Sequence, residues 1–275
     1  MHPQKRRSLI NRKCGDNMTS YRKFAYVYDE LMRDMPYSEW LKFARTAWEK
    51  YGMPKTVVDL GCGTGSLSIP LANDGFQVTG IDLSGDMLSV AHRKTEMTSN
   101  GARLMREGGL RWVQQDMTAW KMPEPVDAVI SFCDCLNYLL EEEDIVLTFR
   151  QTYAGLKEGG TFLFDVHHPN TLQRYAEEQP FIWDDDSVSY IWTCELDEDR
   201  MEIEHELTIF ARDEESGADL YRRFEENHVQ RAYDLRWMRQ ELLQVGFKSV
   251  TCYADFKWEE PHHDEAARLF IVAVK

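Results

Sequence analysis

The stretch Val57-Val58-Asp59-Leu60-Gly61-Cys62-Gly63-Thr64-Gly65 decides how the rest of the chain is read. Its apolar half, 56–60, predicts a short strand that three glycines then break into a loop. Glycines let a backbone turn tightly and approach a ligand closely. The helix expected from about 66 to 73 adds unpaired N–H groups at its start. Loops of this kind also bind dinucleotides, so the loop alone is weakly specific.

Outward from the loop, strand and helix patterns alternate. Residues 76–81 read as a second strand ending at Asp82, and Ser84 can cap a helix carrying Met87, Leu88 and Ala91. The polar stretch 96–109 extends that helix or loops out. Residues 110–115 form a third strand ending at Asp116, and 126–133 are almost continuously apolar, as a buried parallel strand requires. A helix over 141–156 stops at Gly159-Gly160, and 161–166 is a fifth strand. This spacing predicts an α/β fold with a doubly wound, mostly parallel seven-stranded sheet. After Pro169 the period drops to two, with Tyr190, Trp192 and Cys194, then Ile203, His205, Leu207 and Ile209. About three antiparallel strands are expected there, with turns at 197–199 and 213–219. The helix 234–245 and strands 248–256 and 268–274 return to the first pattern. The expected parts are therefore a basic disordered arm (1–17), a core with N-terminal helices (18–170), an antiparallel insertion (171–233) and the end of the core (234–275). Met18 as the true start is a further expectation.

Composition narrows the class. The 275 residues hold 47 acidic and 32 basic side chains, a net charge of −15, with 43% hydrophobic residues and eight Trp. This excludes a disordered chain. No run of 18 apolar residues occurs, so a soluble, cytoplasmic protein is expected. Six scattered cysteines read as free thiols. Negative charge disfavours nucleic acid as a partner. It is uneven: 177–226 holds 18 acids and four basic residues, beside the expected acceptor site, which points to a neutral or cationic substrate.

Three details bear on the ligand. A dinucleotide fingerprint wants glycine or alanine where Ser66 stands. Asp59 would repel a pyrophosphate but can pair with a cationic amine. Asp116 can hold an exocyclic amine, whereas Asp82 would grip ribose hydroxyls in either case. At these residues the chain resembles the class I S-adenosylmethionine-dependent methyltransferases, over about 21–275. The likeness is strongest in Asp59–Gly65, Gly80-Ile81-Asp82-Leu83-Ser84, Gln115-Asp116-Met117 and 155–165. The N-terminal pattern of Tyr21, Phe24, Ala25, Tyr28, Asp29 and Leu31 is similar to that of small bacterial members, and the late insertion to that of sugar-amine N-methyltransferases.

The resemblance implies S-adenosyl-L-methionine as cofactor. It places Gly61, Cys62, Gly63 and Gly65 along the methionine half and turns Asp59 toward its ammonium group. Asp82 would bind the ribose, with Leu83 and Met87 on the adenine side. Asp116 would accept from the adenine amine under Met117, Cys133 would lie near the methionine moiety, and Tyr21 and Tyr28 would close over it. Methyl transfer needs no covalent residue, and a base only for a protonated acceptor. Strand-end residues His167 and His168 are the candidates. The expected partner is a small molecule methylated on N or O, with the enzyme a monomer or homodimer and no membrane attachment. The alternatives are an RNA methyltransferase using Arg93, Lys94, Arg103 and Arg106, a dinucleotide-dependent oxidoreductase, and a non-catalytic cofactor binder. No metal is expected: Cys133-Asp134-Cys135 lacks a second close pair, and His262-His263-Asp264 reads as a surface loop. The alternating Glu202, Glu204 and Glu206 read as a solvated strand face. The fourth strand lacks the motifs of enzymes that methylate nucleic-acid bases.

Overall fold

A computed structural model describes Ala25 and residues 27–213, 220–258 and 266–275. Expectations for 1–17, Tyr21, 214–219 and the 262–264 triplet lie outside the described residues. After a helical turn at 27–31, α1 (Tyr37–Tyr51) precedes β1 (Thr56–Leu60), α2 (Ser68–Asn73), β2 (Gln77–Asp82), α3 (Gly85–Met97), α4 (Gly101–Glu107) and β3 (Leu110–Gln114). β4 (Val126–Ser131), α5 (Glu142–Gly155) and β5 (Leu156–His167) follow. Then come α6 (Pro169–Glu178), β6 (Phe181–Trp183), β7 (Val188–Asp197), β8 (Glu202–Arg212) and β9 (Tyr221–Arg231). The described chain ends with α7 (Leu235–Val245), β10 (Ser249–Ala254) and β11 (Arg268–Val274).

The main sheet has seven strands in the order β10-β11-β5-β4-β1-β2-β3. β1 to β5 pair in parallel, and β11 runs antiparallel to both β5 and β10. Helices cover both faces, so the central strands β1 and β4 are buried almost throughout, which their continuous apolar runs require. Local signals fix the helix ends. Ser84 Oγ accepts from the Met87 N–H at 3.2 Å, and Asp234 Oδ1 accepts from the Trp237 N–H at 2.8 Å. Three acids, Glu142, Glu143 and Asp144, occupy the first turn of α5, where the helix dipole favours them.

The second sheet is antiparallel with four strands, β6-β7-β8-β9, one more than the period-two reading predicts. The extra strand is β6, whose three residues are too few to display a period. The polar stretch after α3 forms the separate helix α4, which closes on left-handed Gly108 at φ 75°. The sheet's inner face carries Val188, Ile209, Ala211 and Phe224, which pack with Ala25 and with Met87 of α3. Its outer face carries most of the acids, while Glu226 is buried on the inner face beside Phe224. Glu195 and Glu204 stand directly opposite one another, and both are exposed, as are Glu206 and Glu225. These four acids face solvent and so do not carry the substrate-charge argument drawn from 177–226. Among the described residues, no helix is long and apolar enough to cross a membrane.

Candidate functional site

An open α/β sheet takes its ligand where the strand order reverses, beyond the carboxyl ends of the strands. Here the reversal falls between β1 and β4, and a cavity of about 820 Å³ lies against the loops that follow them. Gly61 opens the loop at φ 73°. A Cβ there would stand 2.7 Å from Cys135 Sγ, so glycine is required. Gly63 donates its N–H to Asp82 Oδ2 at 2.8 Å, and Ser84 donates to Oδ1, also at 2.8 Å. Asp82 thereby ties the loop to the end of β2, while each of its oxygens retains a second acceptor position. Burial raises its carboxyl above the usual range, against the pull of these N–H groups. Asp59 is 2% exposed, and Ser68 Oγ donates to its Oδ2 at 2.5 Å. Burial pushes the Asp59 carboxyl up to about 7, with Ser68 opposing and Asp82 adding to the shift.

Most sequence-predicted cofactor residues converge on this cavity: Tyr28, Asp59, Gly61, Cys62, Asp82, Leu83, Met87, Asp116, Met117 and Cys133 all line it. Leu83 is 68% exposed at the rim, an apolar side chain left bare beside a cavity. Asp116 Oδ1 accepts from the Thr118 N–H and hydroxyl, each at 2.8 Å, which fixes its carboxylate at the cavity edge. Gly63 and Gly65 stand behind the lining. Gly63 acts through its N–H on Asp82, and Gly65 abuts the Trp112 ring.

The two histidine candidates sit elsewhere. His167 is 5% exposed and turns behind the β4 loop, with Nε2 3.5 Å from Asp134 Oδ2. His168 caps α6, its Nδ1 accepting from the Asn170 N–H at 3.1 Å, and lines a separate depression with Arg236 and Arg239. Consecutive residues leave a strand on opposite faces, and neither direction here leads into the cavity. The group that does face it is Asp134, which takes a left-handed φ of 53° directly after Cys133 at 60°. Such backbone is costly away from glycine and persists only when its surroundings impose it. Asp165 does so, accepting the Cys133 N–H at 2.8 Å, the Asp134 N–H at 3.3 Å and Trp40 Nε1 at 3.0 Å. Arg268 lies between both carboxylates, donating to Asp134 at 2.8 Å and also to Asp165. Gln230 of β9 donates to Asp134 Oδ2 at 2.6 Å. Burial works against ionisation of Asp134, yet His167 and Arg268 outweigh it and hold the carboxyl well below the usual range.

Beyond the loop, the cavity is lined by Tyr28, Tyr37, Tyr138, Met32, Met35 and His228. Burial raises the Tyr28 and Tyr37 hydroxyls and lowers His228, so the imidazole is neutral near pH 7. The Tyr138 and His228 rings meet edge to face at 6.1 Å. Asp134, Tyr37, Tyr138 and His228 escape a reading by motif. His228 could have been found only by asking which residues of a period-two strand face inward. Six aspartates, at 59, 82, 86, 116, 134 and 144, are among the described residues lining the cavity, and no Lys or Arg is.

A family model described as "Methyltransferase domain" matches residues 57–160. GWCH70_2453 of Geobacillus sp. (strain WCH70), named as a methyltransferase, is 38% identical over 258 residues, 93% of this chain and 100% of its own length. YqeM of Bacillus subtilis (strain 168), also named as a methyltransferase, is 36% identical over 256 residues, 93% of this chain and 97% of its own. The fold matches that of an S-adenosylmethionine-dependent methyltransferase from Clostridium acetobutylicum ATCC 824 with a TM-score of 0.77 and 28% identity, covering 92% of this chain and 98% of that one. Relatives aligned along their whole length and a shared architecture set the dinucleotide-dependent oxidoreductase aside. The chain belongs to the class I S-adenosylmethionine-dependent methyltransferases.

Proposed function

We propose that the protein methylates the nitrogen of a small amine, with its cofactor held against the glycine loop. The donor set fits S-adenosylmethionine: a buried carboxyl for an ammonium group, a carboxylate with two free acceptor positions for ribose hydroxyls, and an apolar rim for an adenine ring. When bound, that cofactor supplies an electrophilic methyl group on a sulfonium sulfur. In this reading Asp59 meets the ammonium and Asp82 the ribose. Asp116 accepts from the adenine amine, with Leu83, Met87 and Met117 around the ring. Gly61, Cys62 and Cys133 flank the methionine chain, and Tyr28 covers it.

Asp59 makes this placement testable by pH. A carboxyl that titrates at about 7 must be ionised to pair with an ammonium group. Affinity for S-adenosylhomocysteine should therefore rise about tenfold between pH 6 and pH 8 and then level off. Calorimetry across that range checks this, and Asp59→Asn should flatten the profile. A flat wild-type profile would remove Asp59 from the ammonium site.

The observation that carries the acceptor class is the charge of the cavity. Asp144 joins three tyrosines and His228 on its walls, Asp134 there is already paired with Arg268, and no described Lys or Arg lines the cavity. Carboxylates and aromatic faces favour a cationic or neutral amine, and an acceptor bearing carboxylate or phosphate finds no counter-charge there. A protonated amine must lose a proton to expose its lone pair. The neutral imidazole of His228 is placed to accept it. Alignment within walls that exclude water does the remaining work. None of the basic residues considered for RNA lines the cavity: Lys94 of α3 reaches only the hydroxyls of Thr64 and Ser66 behind its wall, Arg93 lies on the same helix, and Arg103 and Arg106 lie on α4. A screen with methyl-labelled cofactor should label primary and secondary amines and leave their carboxylate- or phosphate-bearing analogues unlabelled. Label confined to those anionic analogues, or to RNA, contradicts the proposal.

A further inference from the structure

Behind the glycine loop, three elements meet at one ion pair. Asp29 belongs to the helical turn at 27–31, one residue beyond cavity-lining Tyr28. Its Oδ1 accepts from Thr64 Oγ1 at 2.6 Å and from Lys94 Nζ at 2.9 Å. Lys94, from the last turn of α3, donates as well to Thr64 Oγ1 at 3.1 Å and Ser66 Oγ at 3.2 Å. Thr64 is 1% exposed and lies within the glycine loop, and both Thr64 and Ser66 line the cavity. The turn is thus bonded to the segment that faces the ligand. On its other side, Glu30 accepts from Ser187 Oγ at 2.7 Å, and Val27, Tyr28 and Leu31 pack against Met87, Val188 and Ile209.

We propose that Asp29, Thr64 and Lys94 form a latch that positions the N-terminal turn across the methionine end of the cofactor. The latch rests on the cofactor placement argued above. With the latch made, Tyr28 and Met32 form a wall of the cavity, and cofactor departure requires the turn to let go. Lys94 acts twice. It bridges the turn to the loop, and it neutralises Asp29 beside a site already crowded with Asp59 and Asp82. The pair is about one-third exposed on each side, so it adds little to the stability of the ligand-free chain. Its effect is on retention: these are positioning residues, and they act through Tyr28 and the loop.

The test uses the full chain and S-adenosylhomocysteine, with affinity read by calorimetry and dissociation by stopped-flow displacement. Lys94→Met should speed dissociation about tenfold, and Lys94→Arg, which keeps the charge, should stay within about twofold of wild type. Asp29→Asn should also speed dissociation, and the Asp29→Asn/Lys94→Met double variant should be no worse than the poorer single variant. Ligand-free thermal midpoints should shift by no more than about 2 °C. Unchanged dissociation in Lys94→Met, equal losses in Lys94→Met and Lys94→Arg, or fully additive single effects would each overturn the latch. Asp82→Ala separates the two layers of the argument. If it loses ligand while Lys94→Met does not, the latch is wrong and the cofactor placement stands. If Asp82→Ala binds like wild type, the placement fails and takes the latch with it.

Discussion

Arg268→Leu should destabilise the protein by about 3–5 kcal/mol, because it leaves buried carboxylates without their cation. Arg268 is the charge that lets Asp134 and Asp165 coexist, with side-chain exposures of 15%, 16% and 0% respectively. Its guanidinium also lies over the Trp40 ring at 5.3 Å, so truncation removes packing together with charge. For a chain of this size, that loss corresponds to a fall of about 10 °C in thermal midpoint. The deficit should shrink at acid pH. Burial already raises the Asp165 carboxyl, and without Arg268 it rises further, so acid neutralises the orphaned group. Asp165→Asn placed on top of Arg268→Leu should recover part of the lost stability, since it removes one unpaired charge and keeps an acceptor for the Cys133 N–H. Thermal melts at pH 5.5 and 8 check both statements. Equal deficits at the two pH values, or no recovery in the double variant, would show that the cluster is held by packing alone.

Asp82→Ala should weaken S-adenosylhomocysteine binding by 10- to 100-fold or more. One charged hydrogen bond is worth about 1.5–3 kcal/mol, which alone covers that range. In the proposed placement Asp82 meets the ribose while its oxygens also hold the Gly63 and Ser84 N–H groups at 2.8 Å. Alanine therefore removes a ligand contact and releases the loop that must meet the rest of the cofactor. Asp82→Asn retains one acceptor for one of those N–H groups and should fall between wild type and alanine. The same calorimetric titration reads all three proteins, and affinity within twofold of wild type in Asp82→Ala would remove the residue from the ligand site.

The part of the cavity proposed to hold the cofactor is legible in the sequence because its residues are local. Asp59, the three glycines and Asp82 sit at consecutive strand ends, and a parallel sheet places successive strand ends side by side. The part proposed for the acceptor is assembled from distant residues. Asp134 and Arg268 are 134 positions apart and meet only because β11 inserts beside β5. Register decides the histidines as well. His167 pairs with Arg268 at the end of β5 and so joins the buried cluster, and His168, one residue on, starts α6. The acids of 177–226 are plain in the sequence as a charge excess, but period-two spacing alone does not say which face is wet. Packing answers that, by turning Val188, Ile209 and Phe224 inward.

The most direct test of an amine-methylating cavity is a matched pair of acceptors that differ only at the receiving atom. Active amines from the labelled screen should be compared with their hydroxyl counterparts by kcat/KM. The account predicts a preference for the amine of at least about 100-fold, together with a rate that rises with pH as the amine loses its proton. Equal turnover of the two, or a preference for the hydroxyl partner, would contradict it.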